Sequence, residues 1–378
     1  MIGSFLQKSF PYWELNQLAK FIPCGRILVA LKEEKFYPSC SVLPSKEKTL
    51  MKKMIEQGTG IGVNHNFSKR VVEEVLEIND LVVKTKDGRL PGIMHTIHWK
   101  DPNIWAFLEL KNSTSLKNPI LSRSNHSVVV NNFEEFISSP VSLSVAEAAH
   151  ARGDPGIIFS NNDTQAAAPC GELWLDPYEA CLLGNINLLA HISYSQIDWD
   201  ELANTARKSA IFLDSMIEKM IVPEQMIDVI MKNRRLGLGV MGFASVLEIL
   251  GIPYESDEAV EIAEKMSRII SSEARNVLPD SIGITALAPT GRTALKVGVS
   301  HSIEPLSPLE VSPEGHLKIL AAWQKYVDGA ISKTVIIPFE TDSKEILTII
   351  KKAYQLGCKS VTLYREGSAG HKCERCLN

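Results

Sequence analysis

Two stretches of helical periodicity, residues 198–221 and 256–275, carry apolar residues at i, i+3, i+4 and i+7, with Asp198 and Ser256 placed to cap them. Short runs rich in β-branched residues follow, KTVIIPFE around Ile336 and SVTLY at 360–364, and these read as buried strands. Amphipathic helices alternating with such strands leave few architectures open. Each helix has one face to bury and each strand is too apolar to meet water, so helices must cover a largely parallel sheet or a barrel made from one. At 378 residues the chain suffices for one large α/β domain or for two to three smaller ones.

Composition excludes several functions. With 45% hydrophobic and 22% charged residues, and no run near the ~18 to 20 apolar residues of a membrane span, the chain is not expected to be a membrane protein. The opening MIGSFLQKSFPYWEL lacks the basic, apolar and small-residue regions of a secretion signal, so a cytoplasmic location is expected. A net charge of -4, with lysines and arginines spread along the chain, gives no footprint for duplex nucleic acid and favours small nucleotide ligands. Seven cysteines, an odd number, argue against a structural disulfide framework and for reduced thiols that include working ones.

Glycine-rich segments need separate readings. Gly237-Leu238-Gly239-Val240-Met241-Gly242 fits a dinucleotide pattern, with Asp257 where a ribose-binding acid would fall. The preceding DVIMKNRR is charged where the first strand of such a unit should end, so close backbone packing explains these glycines better. QGTGIGVN, residues 57–64, indicates only a tight turn or a close approach. In LAPTGRTALKVG, residues 287–298, backbone N–H groups at a helix start beside Thr290, Arg292 and Thr293 suit a phosphate, and an ordinary capped turn would look the same.

The cysteines carry more information. Cys373-Glu374-Arg375-Cys376 offers a dithiol at redox spacing; with His371 it supplies three zinc ligands and no second pair follows, so no metal site is expected. In APCGELWLDPYEACLLGNINL, residues 168–188, Pro169 and Gly171 fix a turn around Cys170, Glu172 is near enough to act as a base, and Cys181 follows on an apolar run. Burial as packing suits Cys181 and Cys358 and does not suit Cys170.

Taken in order, these segments resemble the catalytic chain of the ribonucleotide reductases of the adenosylcobalamin-dependent class. The likeness is carried by FIPCGRIL, YPSCSVLP, QGTGIGVNHNFS, the 168–188 segment, RRLGLGVMGFASVL, LAPTGRTALKVGVSHSIEP, KYVDGAISKTVIIP and LGCKSVTLYREGS. It implies a ten-stranded α/β barrel over residues 22–364 with a central finger loop, preceded by a residual segment 1–21 and followed by a flexible redox-active tail 365–378. It also implies roles. Cys170 would carry a thiyl radical that removes the ribose 3′ hydrogen, Glu172 would take the 3′ hydroxyl proton, and Cys40 and Cys181 would supply reducing equivalents. Cys373 and Cys376 would reopen the resulting disulfide, and a thioredoxin- or glutaredoxin-like protein would reduce the tail. Thr290, Gly291, Arg292 and Thr293 would hold the phosphates of a ribonucleotide, with Ser39 near the ribose. The single Tyr364 in SVTLYREGS, where the iron- or manganese-dependent class pairs tyrosines, and the absence of a glycyl-radical loop in EGSAGHK leave cobalamin as the radical source.

Three departures accompany the likeness. Ala168 stands where the family has asparagine, and Arg292 stands in a phosphate loop that usually has a small hydroxyl residue. The chain is also short, with material lost between Ser68 and Gly92, Ser139 and Ser144, Ala274 and Thr285, and Leu309 and Ser312. These are the places of the effector-binding helices and outer insertions, so the expectation is a minimal reductase without allosteric specificity control, a monomer or weak homodimer. A catalytically silent nucleotide-binding relative is the competing reading.

Overall fold

The computed structural model describes residues 17–28, 35–85, 88, 90–114 and 121–368. The two periodic stretches form helices Trp199–Ile217 and Asp257–Val277, and the side chains of Asp198 and Ser256 accept the backbone N–H groups of Glu201 and Ala259, as the sequence predicts. The two β-branched runs are strands Thr334–Ile337 and Ser360–Arg365.

Ten strands share one sheet: β1 (Phe21–Pro23), β2 (Cys40–Val42), β3 (Gly60–Asn64), β4 (Ile93–His98), β5 (Ser124–Val130), β6 (Gly156–Phe159), β7 (Ala180–Asn187), β8 (Leu236–Met241), β9 (Thr334–Ile337) and β10 (Ser360–Arg365). From β2 to β6 each strand is parallel to the next. The pairs β7–β8 and β9–β10 are also parallel. These two sets meet antiparallel at β2–β7 and at β6–β10.

Residues 284–287 close the circuit between β8 and β9. Leu238 N–H donates to the Ile284 carbonyl (2.8 Å), Leu287 N–H to the Ala330 carbonyl (3.2 Å) and Ser332 N–H to the Leu287 carbonyl (2.8 Å). The sheet is thereby a barrel of two half-barrels, the expected α/β architecture. β1 lies end to end with β2 along one edge of β7: Phe21 to Pro23 oppose Ile186 to Gly184, and Cys40 opposes Cys181.

Alternation along the strands sorts side chains between two sides. Ile61, Val63, Ile93, Ile97, Val128, Leu182, Ile186, Leu236, Leu238 and Val240 belong to the main core, which also takes in the buried faces of the helices. The alternate positions face the bore. There Gly60, Gly62, Gly237 and Gly239 stand where side chains would collide: a methyl group on Gly60 would meet Pro169 Cγ at 2.7 Å, and one on Gly239 would meet Asn185 Oδ1 at 2.7 Å. Gly60, Gly62, Gly237 and Gly239 of QGTGIGVN and GLGVMG are thus strand residues with a period of two, and close packing is their cause, whereas Gly58 and Gly242 lie just outside the strands in left-handed backbone, at φ 88° and 87°.

Candidate active site

Between β6 and β7 the chain enters the bore as a hairpin, with Ala166 opposite Leu175 and Ala167 opposite Trp174. Its turn is tight. Ala168 N–H donates to the Leu173 carbonyl (2.7 Å) and Gly171 N–H to the Ala168 carbonyl (2.8 Å), with Gly171 at φ 78°, a left-handed conformation that glycine adopts without steric cost. Three walls hold the tip. Asn125 Nδ2 on β5 donates to the Pro169 carbonyl (2.7 Å), Ala330 N–H donates to the Glu172 carbonyl (2.8 Å), and Pro169 packs on Gly60 of β3.

The tip presents two different groups. Cys170 is exposed, and among the described residues no atom beyond Gly171's chain neighbours lies within 4 Å of where a side chain on Gly171 would start. Glu172 is 1% exposed, and its Oε2 is buried with no hydrogen-bond partner among the described residues. Burial pushes its carboxyl up from 4.5 to about 7, against the lowering effect of the backbone N–H groups of Glu172 and Cys170. A carboxyl in that range is poised to take a proton near neutral pH. Ala168 is fully buried beside Leu173 and Cys40, and no polar side chain at that position is available to Glu172.

Cys40 and Cys181 face each other across β2–β7. Directly opposed residues place their Cβ atoms about 4.5–5.5 Å apart on one face, within the reach of a disulfide after small adjustment. Both are buried in a small cluster with Val42, Ala166, Ala168, Leu173, Leu175 and Ala286, so the pair lies under the hairpin. Ser39 N–H also donates to the Cys181 carbonyl (3.1 Å), so two residues entering β2 oppose one on β7, a bulge that turns Ser39 toward the same region.

Thr290, Gly291, Arg292 and Thr293 follow directly on the closing segment that contains Ala286. Thr290 is buried, and its hydroxyl oxygen accepts the Ser302 N–H (2.7 Å) instead of capping the helix Gly291–Val297 that it precedes. Arg292 is exposed and Thr293 half-buried. Cys373 and Cys376 lie outside the described residues. Cys358 is buried in the main core and burial pushes its thiol up to about 12, so it is a packing residue.

Sequence reasoning did not single out several neighbours. Asn125 anchors the hairpin, Ser302 holds Thr290 and has a buried hydroxyl oxygen without a partner among the described residues, and Cys24 Sγ lies 2.9 Å from Ser39 Oγ. Only tertiary packing reveals these contacts; the one signal available was that FIPCGRIL and SHSIEP lie in segments of the likeness. Among the described residues no group of three or more histidine, cysteine or acidic side chains could hold a metal ion, and no helix is long and apolar enough to cross a membrane.

Comparison with known proteins agrees with this fold. The vitamin B12-dependent ribonucleoside-diphosphate reductase of Mycobacterium tuberculosis is 29% identical over 59% of this chain and 46% of its own length. The protein of the same description from Thermoplasma acidophilum is 27% identical over 78% of this chain and 54% of its own. The chain therefore spans about half the length of the curated relatives it matches. The solved α subunit of the Actinobacillus ureae class Id ribonucleotide reductase superposes with a TM-score of 0.81 at 16% identity, covering 97% of this chain and 92% of that one, which shows the fold. The family description "Ribonucleotide reductase, barrel domain" matches residues 143–277 and 307–364, just over half of the chain, and the chain belongs to that family.

Proposed function

We propose that the chain reduces ribonucleoside di- or triphosphates to 2′-deoxyribonucleotides by thiyl-radical chemistry, with adenosylcobalamin as the radical source. The observation that carries this reading is the convergence in the bore of an exposed Cys170, a buried Glu172 with an unpartnered oxygen, and the facing pair Cys40 and Cys181. The names of the curated relatives support the cofactor. Its fit rests on Cys170: the thiol is exposed at the hairpin tip beside open space at Gly171, the surroundings that a bulky radical carrier needs. When bound, the cofactor supplies an organic radical that takes the hydrogen atom of the Cys170 thiol.

The chain's own residues do the rest. Cys170 removes the ribose 3′ hydrogen atom while the Glu172 carboxylate accepts the 3′ hydroxyl proton. The 2′ hydroxyl then leaves as water, protonated by a thiol of the Cys40–Cys181 pair. Two electrons and two protons come from that pair as its disulfide forms: one proton leaves in the water, the other hydrogen goes to C2′, Glu172 returns its proton to the 3′ oxygen, and Cys170 returns the hydrogen atom to C3′. Thr290 to Thr293 hold the phosphates, Ser39 lies toward the ribose, and the 365–378 tail with Cys373 and Cys376 passes electrons from a thioredoxin- or glutaredoxin-like donor.

Among the described residues from Ser68 to Gly92 there is one helix, Val71–Asp80, which supports a minimal form without allosteric specificity control. The test incubates the protein with adenosylcobalamin, each ribonucleotide and dithiothreitol, with and without deoxynucleoside triphosphates. Deoxynucleotide and a thiyl radical signal, both lost in Cys170→Ala, are expected. Absence of both from the unaltered protein would favour the silent relative, and an effector-dependent change of substrate would overturn the minimal form.

A further inference from the structure

The proposed circuit stores its oxidation in a Cys40–Cys181 bridge, and both residues are enclosed, at 6% and 0% exposure. Thiol exchange requires an attacking thiolate to reach one of the bridged sulfurs. A protein dithiol arriving from solvent meets neither sulfur easily. Cys24 is half-buried, and its position in the barrel is informative.

Cys24 N–H donates to the Leu183 carbonyl (3.0 Å), just as Ser39 N–H donates to the Cys181 carbonyl (3.1 Å). Cys24 therefore sits two residues along β7 from the Cys40–Cys181 level, on the same edge. At a rise of about 3.3 Å per residue the separation is about 6.6 Å, inside the ~4.4–6.8 Å Cα window of disulfides. The Cys24 side chain also reaches toward that level, since its sulfur lies 2.9 Å from Ser39 Oγ, one residue before Cys40.

We propose that Cys24 is a third thiol of the reductive circuit, which relays the disulfide from the enclosed pair to a more accessible place. The Cys24 thiolate attacks Cys40 Sγ of the Cys40–Cys181 bridge. A Cys24–Cys40 bond forms, the Cys40–Cys181 bond breaks, and Cys181 leaves as a thiolate that takes up the proton lost by Cys24. No electron enters or leaves in this step. A dithiol donor then attacks Cys24 Sγ, and its second thiol closes the donor disulfide, returning Cys24 and Cys40 as thiols. The relay rests on the proposed function only in that turnover is what oxidises the pair.

The test needs no turnover. The reduced full-length protein is oxidised with one equivalent of diamide, alkylated, digested without reductant and mapped by mass spectrometry. A Cys24–Cys40 peptide is expected beside Cys40–Cys181. Oxidised protein is also reduced by thioredoxin and, separately, by a phosphine that attacks sulfur without a dithiol relay. Cys24→Ser keeps a hydroxyl against Ser39 and removes the exchangeable sulfur, so it should slow thioredoxin by about tenfold or more and slow the phosphine, small enough to reach the enclosed pair directly, much less.

A map in which Cys24 stays a thiol, or joins a cysteine other than Cys40, overturns the proposal, as does an equal thioredoxin rate in the variant. The wild-type map decides even if the variant folds poorly. A Cys24–Cys40 bond in a protein that forms no deoxynucleotide would leave the relay standing and the reductase reading refuted.

Discussion

Replacing Glu172 by glutamine should stabilise the protein at high pH while abolishing turnover. The Glu172 carboxyl ionises at about 7 in the folded chain and at 4.5 in the ordinary state, so between these values the folded chain keeps a proton that the unfolded chain releases. Stability from this group is therefore full below pH 4.5, falls as pH rises toward 7, and stays low above it. At pH 8 the buried charge costs roughly 3 kcal/mol, and at pH 5 under about 1 kcal/mol. Glutamine carries neither cost. Urea denaturation of both proteins at pH 5 and pH 8 should show the variant gaining roughly 2 to 3 kcal/mol over wild type between the two conditions, with other titrating groups cancelling in the difference. Turnover should move the opposite way: wild-type rate rises about tenfold from pH 6 to pH 8 as the carboxylate fraction grows, and the variant has no proton acceptor. Parallel stability curves for the two proteins would refute a carboxyl raised by burial.

Three further perturbations follow from the same packing. Gly60→Ala puts a methyl group 2.7 Å from Pro169 Cγ and 3.5 Å from Cys40 Sγ, so it should displace the hairpin tip, lower stability by about 1–3 kcal/mol and lower turnover by a larger factor; a fully active variant would show that the tip does not rest on β3. Ala168→Asn should offer an amide to Glu172 Oε2 and move the acid limb of the pH–rate profile down by about one pH unit, at a cost of about 1–3 kcal/mol in stability; an unmoved limb would exclude that amide as the partner. His95 and His126 are fully buried, and burial holds both well below 6.5, so the unfolded chain takes up protons that the folded chain refuses. Stability should fall below pH 6.5 by up to about 1.4 kcal/mol per pH unit for each, and His126→Asn should reduce the slope measured by denaturation between pH 5 and 6.5.

The elements were legible where pattern and chemistry coincide. Helices 199–217 and 257–277 follow from periodicity and from their capping residues, and β9 and β10 from β-branched content. The short staves were not: β2 has three residues, and the closing segment 284–287 is held by single bridges, so neither leaves a periodic signal. Glycine patterns were legible only as close packing, because Gly60 and Gly62 owe their identity to Pro169 and Ala167, more than a hundred positions away. The contact of Cys24 with Ser39 and the facing of Cys40 with Cys181 depend on register, which local sequence does not encode.

Topology accounts for where Cys170 sits. β6 ends the first half-barrel, yet β7, the next stave in sequence, pairs antiparallel with β2 at that half's far edge. The chain between them must cross the full width of the half-barrel. A path through the bore needs room, and the glycines at 60, 62 and 237 supply part of it, where methyl groups would approach Pro169, Ala167 and Leu173 of the crossing segment. The crossing segment also enters β7 only a few residues after its turn, so Cys181 follows the hairpin onto a strand whose antiparallel neighbour begins with Cys40. Opposite positions face each other directly in an antiparallel pair, whereas parallel pairing slants them. The same reversal of strand direction that sends Cys170 across the bore thus creates the junction at which two thiols face each other, and the Cys170 turn and the Cys40–Cys181 pair are consequences of one connection.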